Sequence, residues 1–331
     1  MRRALPTHGL PEIAARGGAD FSPAAASSFI AQDVAMTSQA VSPSRAAHAP
    51  ATWISPDTGL QIPQDAVLRA MASKSVVLLG ETHDIAEIHR WQTHMCAFLH
   101  TLRPHMAVGF EMFPRRLQPV LDEWVDGKLT TAEFLVASEW DAVWGFPPEI
   151  YLPLFYFCRQ QKVRMLALNC HRPLVTRVGV EGWDAIPEAE RDGLTPAAPA
   201  TAEYRRYLWG LGVRRSAVSG PDDPAFARFW RAQQCWDRAF ACNIANALTA
   251  DPGLLVIGVI GRGHLEFGHG TPFQLRDLGV DSIGVLLPGS ADAIALEKTR
   301  GMADALFRLD PPEPPAERKP RPVPAGGQAA S

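Results

Sequence analysis

The sequence runs Ser75-Val76-Val77-Leu78-Leu79-Gly80-Glu81-Thr82-His83, an apolar segment that ends at a glycine and continues directly into polar residues. A short apolar run between a polar residue and a glycine is typical of a strand that is buried on both faces. Further runs of this kind follow along the chain, at residues 105–110, 163–168, 254–260 and 282–287. The pattern predicts a sheet whose strands lie in the interior of the protein.

Segments with helical periodicity separate these runs. Apolar residues recur every three or four positions from Ile85 to Leu102, and again from about Ala225 to Leu248. Because strands and helices alternate with long connections, we predict an α/β fold, in which a mostly parallel β-sheet is flanked by helices. The stretch 117–157 has helical character without a strand, which predicts a small inserted helical subdomain at about 114–160.

Both ends of the chain differ in composition from its middle. Residues 1–60 are rich in Ala, Ser, Pro and Gly without sustained periodicity, and residues 309–331 combine many prolines with mixed charge. Such segments lack the apolar surface whose burial would offset the entropy of ordering, so we expect both to be disordered. The α/β domain is therefore predicted to span residues 61–308.

Bulk composition excludes several classes of function. The net charge of −3 over 331 residues gives no electrostatic basis for binding nucleic acid. The apolar runs are shorter than the roughly 20 residues that a transmembrane helix requires. The start of the chain lacks the continuous apolar segment of about 7–15 residues that marks a signal peptide, so the sequence predicts a cytoplasmic protein. We expect the partner to be a small-molecule ligand.

Polar side chains follow four of the predicted strands at the point where each strand ends. In open parallel sheets, ligands bind outside the carboxyl ends of the strands, so these side chains are expected to share one site. They are, strand by strand, Glu81 with His83, then Glu111, then Asn169 with His171 and Arg172, and finally Arg262 with His264.

Two imidazoles and a carboxylate form a common ligand set for a divalent transition ion such as Mn, Co or Fe. His83, His264 and one of Glu81 or Glu111 would supply that set. Such an ion lowers the pKa of its bound water, and Glu81 or Glu111 would then act as general base. These residues predict a metal-dependent hydrolase, an esterase or a peptidase, as one of two possible functions.

Two polar residues interrupt the apolar stripe of the second long helix. Gln233 and Asp237 are four positions apart, and a buried polar group costs free energy unless it finds a partner. They are expected to bond either to residues of the site or to an internal network without a catalytic role. His89 and Gln92 are neighbours on the first helix, where an ordinary solvated flank is the alternative to a binding role.

Five ordered blocks between about residues 65 and 290 resemble the ChaN-like haem-binding uptake family. This family belongs to the wider Tiki superfamily, which also includes erythromycin-esterase-like proteins. The blocks are Gly80-Glu81-Thr82-His83-Asp84 with His89-Arg90-Trp91-Gln92, then Phe110-Glu111-Met112-Phe113, then Tyr151-Leu152-Pro153-Leu154 with Ala167-Leu168-Asn169 and Arg172, then Ala232-Gln233-Gln234-Cys235-Trp236-Asp237, and Gly261-Arg262-Gly263-His264.

The resemblance implies a haem- or iron-binding protein with a pocket at the carboxyl edge of the sheet. It implies tyrosine coordination of haem, for which Tyr151 is the candidate, and it implies a link to iron uptake, although such relatives are often exported lipoproteins. By analogy with the superfamily's metal-dependent proteases, His83, Glu111 and His264 would be metal ligands. The remaining residues that the resemblance assigns to the pocket are His89, Asn169, Arg172, Gln233, Asp237 and Arg262.

Haem needs a large apolar slot, and the inserted subdomain is rich in aromatic residues that could line one. The alternative is that these rings form the core of the subdomain itself. They are Trp140, Trp144, Phe146, Phe155 and Phe157.

Overall fold

A computed structural model of the chain describes residues 50–211, 219–289 and 295–309. Disorder is predicted for residues 1–60 and 309–331. Of these, residues 1–49 and 310–331 lie outside the described residues. The predicted domain start at residue 61 is too late, because Trp53 and Ile54 are already buried within the sheet.

In the described part of the chain, eight strands form a single sheet in the order β2-β1-β8-β7-β3-β6-β4-β5. The six strands from β8 to β5 in this order are mutually parallel, and only β1 and β2 at one edge pair antiparallel. The predicted α/β fold with a mostly parallel sheet is confirmed. The strands are β1 Trp53–Ile54, β2 Gln61–Ile62, β3 Val76–Glu81, β4 Met106–Pro114, β5 Arg164–Asn169, β6 Leu255–Gly261, β7 Ile283–Gly289 and β8 Ala305–Arg308.

Helices cover both faces of the sheet because each central strand is apolar on both sides. The helix after β3 packs its Ile88, Trp91 and Met95 on one face, and the helix before β6 packs Phe240 and Ile244 on the other. The α-helices are α1 Gln64–Ala72, α2 Ala86–Leu102, α3 Gln118–Asp126, α4 Thr131–Ala137, α5 Trp140–Val143, α6 Leu152–Gln161, α7 Arg172–Glu181, α8 Ala202–Gly210, α9 Ala227–Ala250, α10 Thr271–Asp277 and α11 Leu296–Thr299.

The helices α3 to α6 lie between β4 and β5 without an intervening strand, as predicted for the inserted subdomain. Its aromatic residues divide into two groups. Phe155 is fully buried and Trp140 is 2% exposed, and both rings contact Phe113 of β4 at a tilt, so they belong to the core, against which Phe157 packs partly buried. Trp144 and Phe146 instead face the candidate site described below.

No helix among the described ranges combines the length and the apolar character needed to cross a membrane.

Candidate functional site

A cavity of about 470 Å³ opens where the carboxyl ends of β3, β4 and β5 meet the inserted subdomain. Of the residues predicted for the site, those that line this cavity are His83, Glu111, Asn169, His171, Arg172, Gln233 and His264. Glu81, His89, Tyr151, Asp237 and Arg262 do not line it, and four of them lie behind it as supports.

Glu81 ends β3 and is 1% exposed. One carboxylate oxygen lies 2.7 Å from His83 Nδ1 and accepts the Tyr151 hydroxyl at 3.3 Å, and the other accepts the amide of Gln92 at 3.1 Å. Burial acts to raise the pKa of Glu81, but the charges of His89 and His83 and the hydrogen bonds outweigh it, so the pKa lies below its ordinary value. Glu81 is therefore an ionised carboxylate that orients His83 rather than a general base at the cavity.

His89 is 1% exposed, which contradicts the solvated-flank alternative and also its assignment to the pocket. Its Nε2 lies 3.1 Å from the main-chain oxygen of His83, and its Nδ1 lies 3.0 Å from Gln92 Oε1. The orientation of that amide is fixed because Gln92 Nε2 donates to Leu79 O and to Glu81. Both ring nitrogens of His89 thus face acceptors, and Nδ1 also lies 3.6 Å from Glu81 Oε2. His89 is therefore a buried neighbour that helps to hold the Glu81 carboxylate in place.

Tyr151, the haem ligand that the resemblance implies, is 1% exposed and does not reach the cavity. Its hydroxyl donates to the main-chain oxygen of His83 at 2.9 Å and to Glu81. Iron coordination by tyrosine requires the phenolate. Burial, together with the charge of Glu81, raises the pKa of Tyr151 well above its ordinary value. In this arrangement Tyr151 supports Glu81 and His83 and is not presented to a ligand.

A second carboxylate–imidazole pair reaches the same cavity from the turn after β6. Asp237 of α9 is fully buried, and its Oδ1 lies 2.8 Å from His264 Nδ1 and accepts the Thr271 hydroxyl at 3.2 Å. Its Oδ2 accepts the hydroxyl of Tyr204 from α8 at 2.5 Å. Asp237 therefore bonds directly to a site residue. Burial acts to lower the pKa of His264, but Asp237 outweighs it and the pKa is raised.

The variant Asp237→Asn is expected to lower the pKa of His264 below its ordinary value of 6.5. Burial would then act on the imidazole without the carboxylate that now outweighs it. NMR titration of the histidine ring protons measures this shift. The variant Thr271→Val, which keeps the carboxylate, is the control and should leave the titration near that of the wild type. A pKa for His264 that is unchanged in Asp237→Asn would contradict the assignment of Asp237.

Close contacts with Glu111 and His83 explain why the second histidine motif begins with a glycine, Gly261. Glu111 Oε2 accepts the main-chain N–H of Gly261 at 2.5 Å. A Cβ at position 261 would lie 2.9 Å from His83 Cε1 and 3.2 Å from Glu111 Oε2, so a side chain there would displace both. Asn169 completes the floor of the cavity by donating to the main-chain oxygen of Glu111 at 2.7 Å.

The three predicted metal ligands line one cavity but are not arranged as a ligand set. Within residues 50–211, 219–289 and 295–309, no group of three or more His, Cys, Asp or Glu side chains is arranged to hold a metal ion. His83, Glu111 and His264 share the cavity, where Glu111 accepts the main-chain N–H of Gly261. The expectation of a Mn, Co or Fe site on these three residues is not supported by their arrangement.

Arg262 is likewise directed away from the cavity. Its guanidinium pairs with Glu266, which also accepts the Tyr207 hydroxyl at 2.8 Å.

The sequence pattern does not predict a role for Tyr204, Tyr207 or Thr271. These residues follow no predicted strand, and only the packing of α8 and α10 brings them to the histidine loop.

Comparison with known proteins agrees with the fold. The family model described as haem-binding uptake, Tiki superfamily, ChaN, matches residues 67–275, which is more than half of the chain. ChaN of Campylobacter jejuni, solved with cofacially bound haem, aligns with a TM-score of 0.59 at 17% identity, covering 77% of this chain and 95% of that chain. A variant of the erythromycin esterase EreC in its open conformation aligns with a TM-score of 0.44 at 12% identity, covering 72% of this chain and 77% of that chain. No curated protein matches the sequence. On the strength of the family match, this chain belongs to the haem-binding uptake family ChaN of the Tiki superfamily.

Proposed function

We propose that the cavity at the carboxyl edge of the sheet binds haem. The observation that carries this proposal is the combination of an apolar aromatic wall with two oriented imidazoles in one cavity. The wall consists of Met112, Val143, Trp144, Phe146 and Trp236, and the imidazoles are those of His83 and His264. Membership of a haem-binding family supports the same ligand.

The size and composition of the cavity suit a porphyrin. Its volume of about 470 Å³ falls within the range of about 300–1,000 Å³ that is usual for small-molecule and cofactor sites. Apolar rings contribute one side, and the guanidinium of Arg172 at the start of α7 contributes positive charge. A flat apolar ligand that carries negative charge at its edge matches both features.

Within this site we assign the bond to the haem iron to His83. Its side chain is 33% exposed, whereas that of His264 is 11% exposed. Its ring forms an edge contact with Trp144 and a tilted contact with Phe146, at centroid distances of 4.7 and 5.6 Å, beside the apolar wall. Metal-binding histidines commonly engage a carboxylate through the other ring nitrogen, which fixes the tautomer and strengthens the ligand. Glu81 makes that contact with His83 Nδ1.

A titration of the purified protein with haemin tests the proposal. The expected result is a shift of the Soret band that saturates as haemin is added. The variant Trp144→Ala, which removes part of the apolar wall, should weaken binding. Arg69→Gln, a change in an exposed ion pair of α1, should not alter binding. A Soret band that stays at the position of free haemin throughout the titration would overturn the proposed function.

Ester hydrolysis is the second candidate, and the two carboxylate–imidazole pairs favour it. An imidazole oriented by a carboxylate can take a proton from water as the water oxygen attacks an ester carbonyl. The Asp237–His264 pair would act in this way beside Glu111. Hydrolysis of a chromogenic ester that His264→Gln and Asp237→Asn both abolish would support this function. Equal rates in the wild type and both variants would exclude His264 as the base.

A further inference from the structure

Arg116 and Glu139 form an ion pair at the edge of the cavity. Arg116 lies in the short turn after β4, and Glu139 immediately precedes α5 in the inserted subdomain. Two parallel contacts join them, at 2.5 Å and 2.7 Å. Both residues line the candidate cavity, and Arg116 also lines an adjoining cavity of about 470 Å³. The pair is therefore within reach of any ligand that fills the site.

The backbone at Glu139 is strained. Its φ of 52° and ψ of 36° place it in the left-handed region, which is unfavourable for a residue with a side chain. Such strain persists only where surrounding contacts hold it, and it is found often at ligand-binding segments. The contact with Arg116 is the observed ion pair of Glu139 and holds this turn against the body of the protein.

We propose that Arg116 determines ligand specificity by exchanging Glu139 for a carboxylate of the bound ligand. The inference rests on the proposed function and adds to it the chemical class of the ligand, a planar apolar molecule that bears a carboxylate at its edge. The guanidinium already holds a carboxylate through two parallel contacts, so a second carboxylate can take the same geometry.

The exchange has a low energetic cost in the apo protein. The side chains of Arg116 and Glu139 are 44% and 46% exposed, and exposed ion pairs contribute little to stability because water screens them. A ligand carboxylate is brought to Arg116 by the apolar contacts of the rest of the molecule, so the contact forms at high effective concentration. Glu139 returns to solvent, where its charge is well hydrated.

Haemin and its dimethyl ester provide a direct test, because esterification removes the negative charge of the edge groups. Binding of both is measured by Soret titration in the wild type, Arg116→Gln, Arg172→Gln, Glu139→Gln and the control Arg69→Gln. The wild type and the control should prefer the diacid by about tenfold. Arg116→Gln should lose most of this preference. Glu139→Gln should bind the diacid severalfold more tightly than the wild type does and should leave the affinity for the ester unchanged. Circular dichroism confirms that each variant is folded.

Other outcomes overturn the inference in distinguishable ways. Equal binding of diacid and ester by the wild type would leave haem binding standing and exclude a carboxylate contact. A preference that survives in Arg116→Gln but disappears in Arg172→Gln would assign the contact to Arg172. If neither the wild type nor any variant binds haemin or its ester, the proposed function is overturned together with this inference.

Discussion

Replacing Glu81 by alanine is expected to lower the free energy of unfolding by about 3–5 kcal/mol, the cost of breaking a buried ion pair by removing one partner. The carboxylate lies in buried ion-pair contact with the rings of His83 and His89 and accepts hydrogen bonds from Tyr151 and Gln92. Without it these polar groups would remain inside the protein with no carboxylate among these contacts. Urea denaturation of the wild type and Glu81→Ala measures the difference.

The control is Asp65→Ala, which removes the carboxylate of an exposed ion pair on α1 and should change stability by less than about 1 kcal/mol. The pH dependence adds a second criterion. The pKa of Glu81 is lowered below 4.5 in the folded protein, so its stabilising contribution is present above that pH and is lost as pH falls through the folded value. The variant Glu81→Gln should lack this part of the acid dependence. A loss in Glu81→Ala no larger than that of the control would contradict the account of the buried pair.

Replacing His83 by glycine is expected to weaken haem binding by about a hundredfold, because it removes the nitrogen ligand that we assign to the iron. Glu81→Gln should weaken binding by about tenfold, since His83 keeps its ring but loses the charged partner at Nδ1. Dissociation constants from haemin titrations at pH 7 measure both effects.

His171 provides a matched control for this series. Its imidazole lines the same cavity, but it follows β5 and, among the residues that the structure describes, makes no carboxylate–imidazole contact of the kind made by His83. His171→Gly should change the affinity for haem by less than threefold, roughly the effect expected for a contact outside the iron ligands. A larger loss in His171→Gly than in His83→Gly would move the iron ligand to the other side of the cavity.

The central strands could be predicted because their apolar runs are long enough to show a pattern. The run that begins at Ser75 corresponds to β3, and those at 105–110 and 254–260 correspond to β4 and β6. The sheet edge formed by β1, β2 and β8 was not predicted. Strands of two to four residues carry no detectable period, and their pairing depends on contacts with distant parts of the chain.

The topology decides which of the predicted residues share the cavity. Glu111 lies in the last part of β4, Asn169 ends β5 and His264 follows β6, so the parallel order brings them to one cavity. The sequence does not predict the burial of the others. Tyr151 and His89 lie close to that edge in the fold, but their burial depends on how α2 and the inserted subdomain pack. A sequence pattern indicates which residues lie near a site. It does not indicate which of their side chains line the cavity and which are buried behind it.

Rescue of His83→Gly by imidazole tests the central claim most directly. The variant is loaded with haemin, and its absorption spectrum is recorded with and without added imidazole. If His83 binds the haem iron, the variant should have an altered Soret band, and imidazole should restore the wild-type position while leaving the wild-type complex unchanged. A His83→Gly complex whose spectrum and affinity equal those of the wild type before imidazole is added would contradict the account.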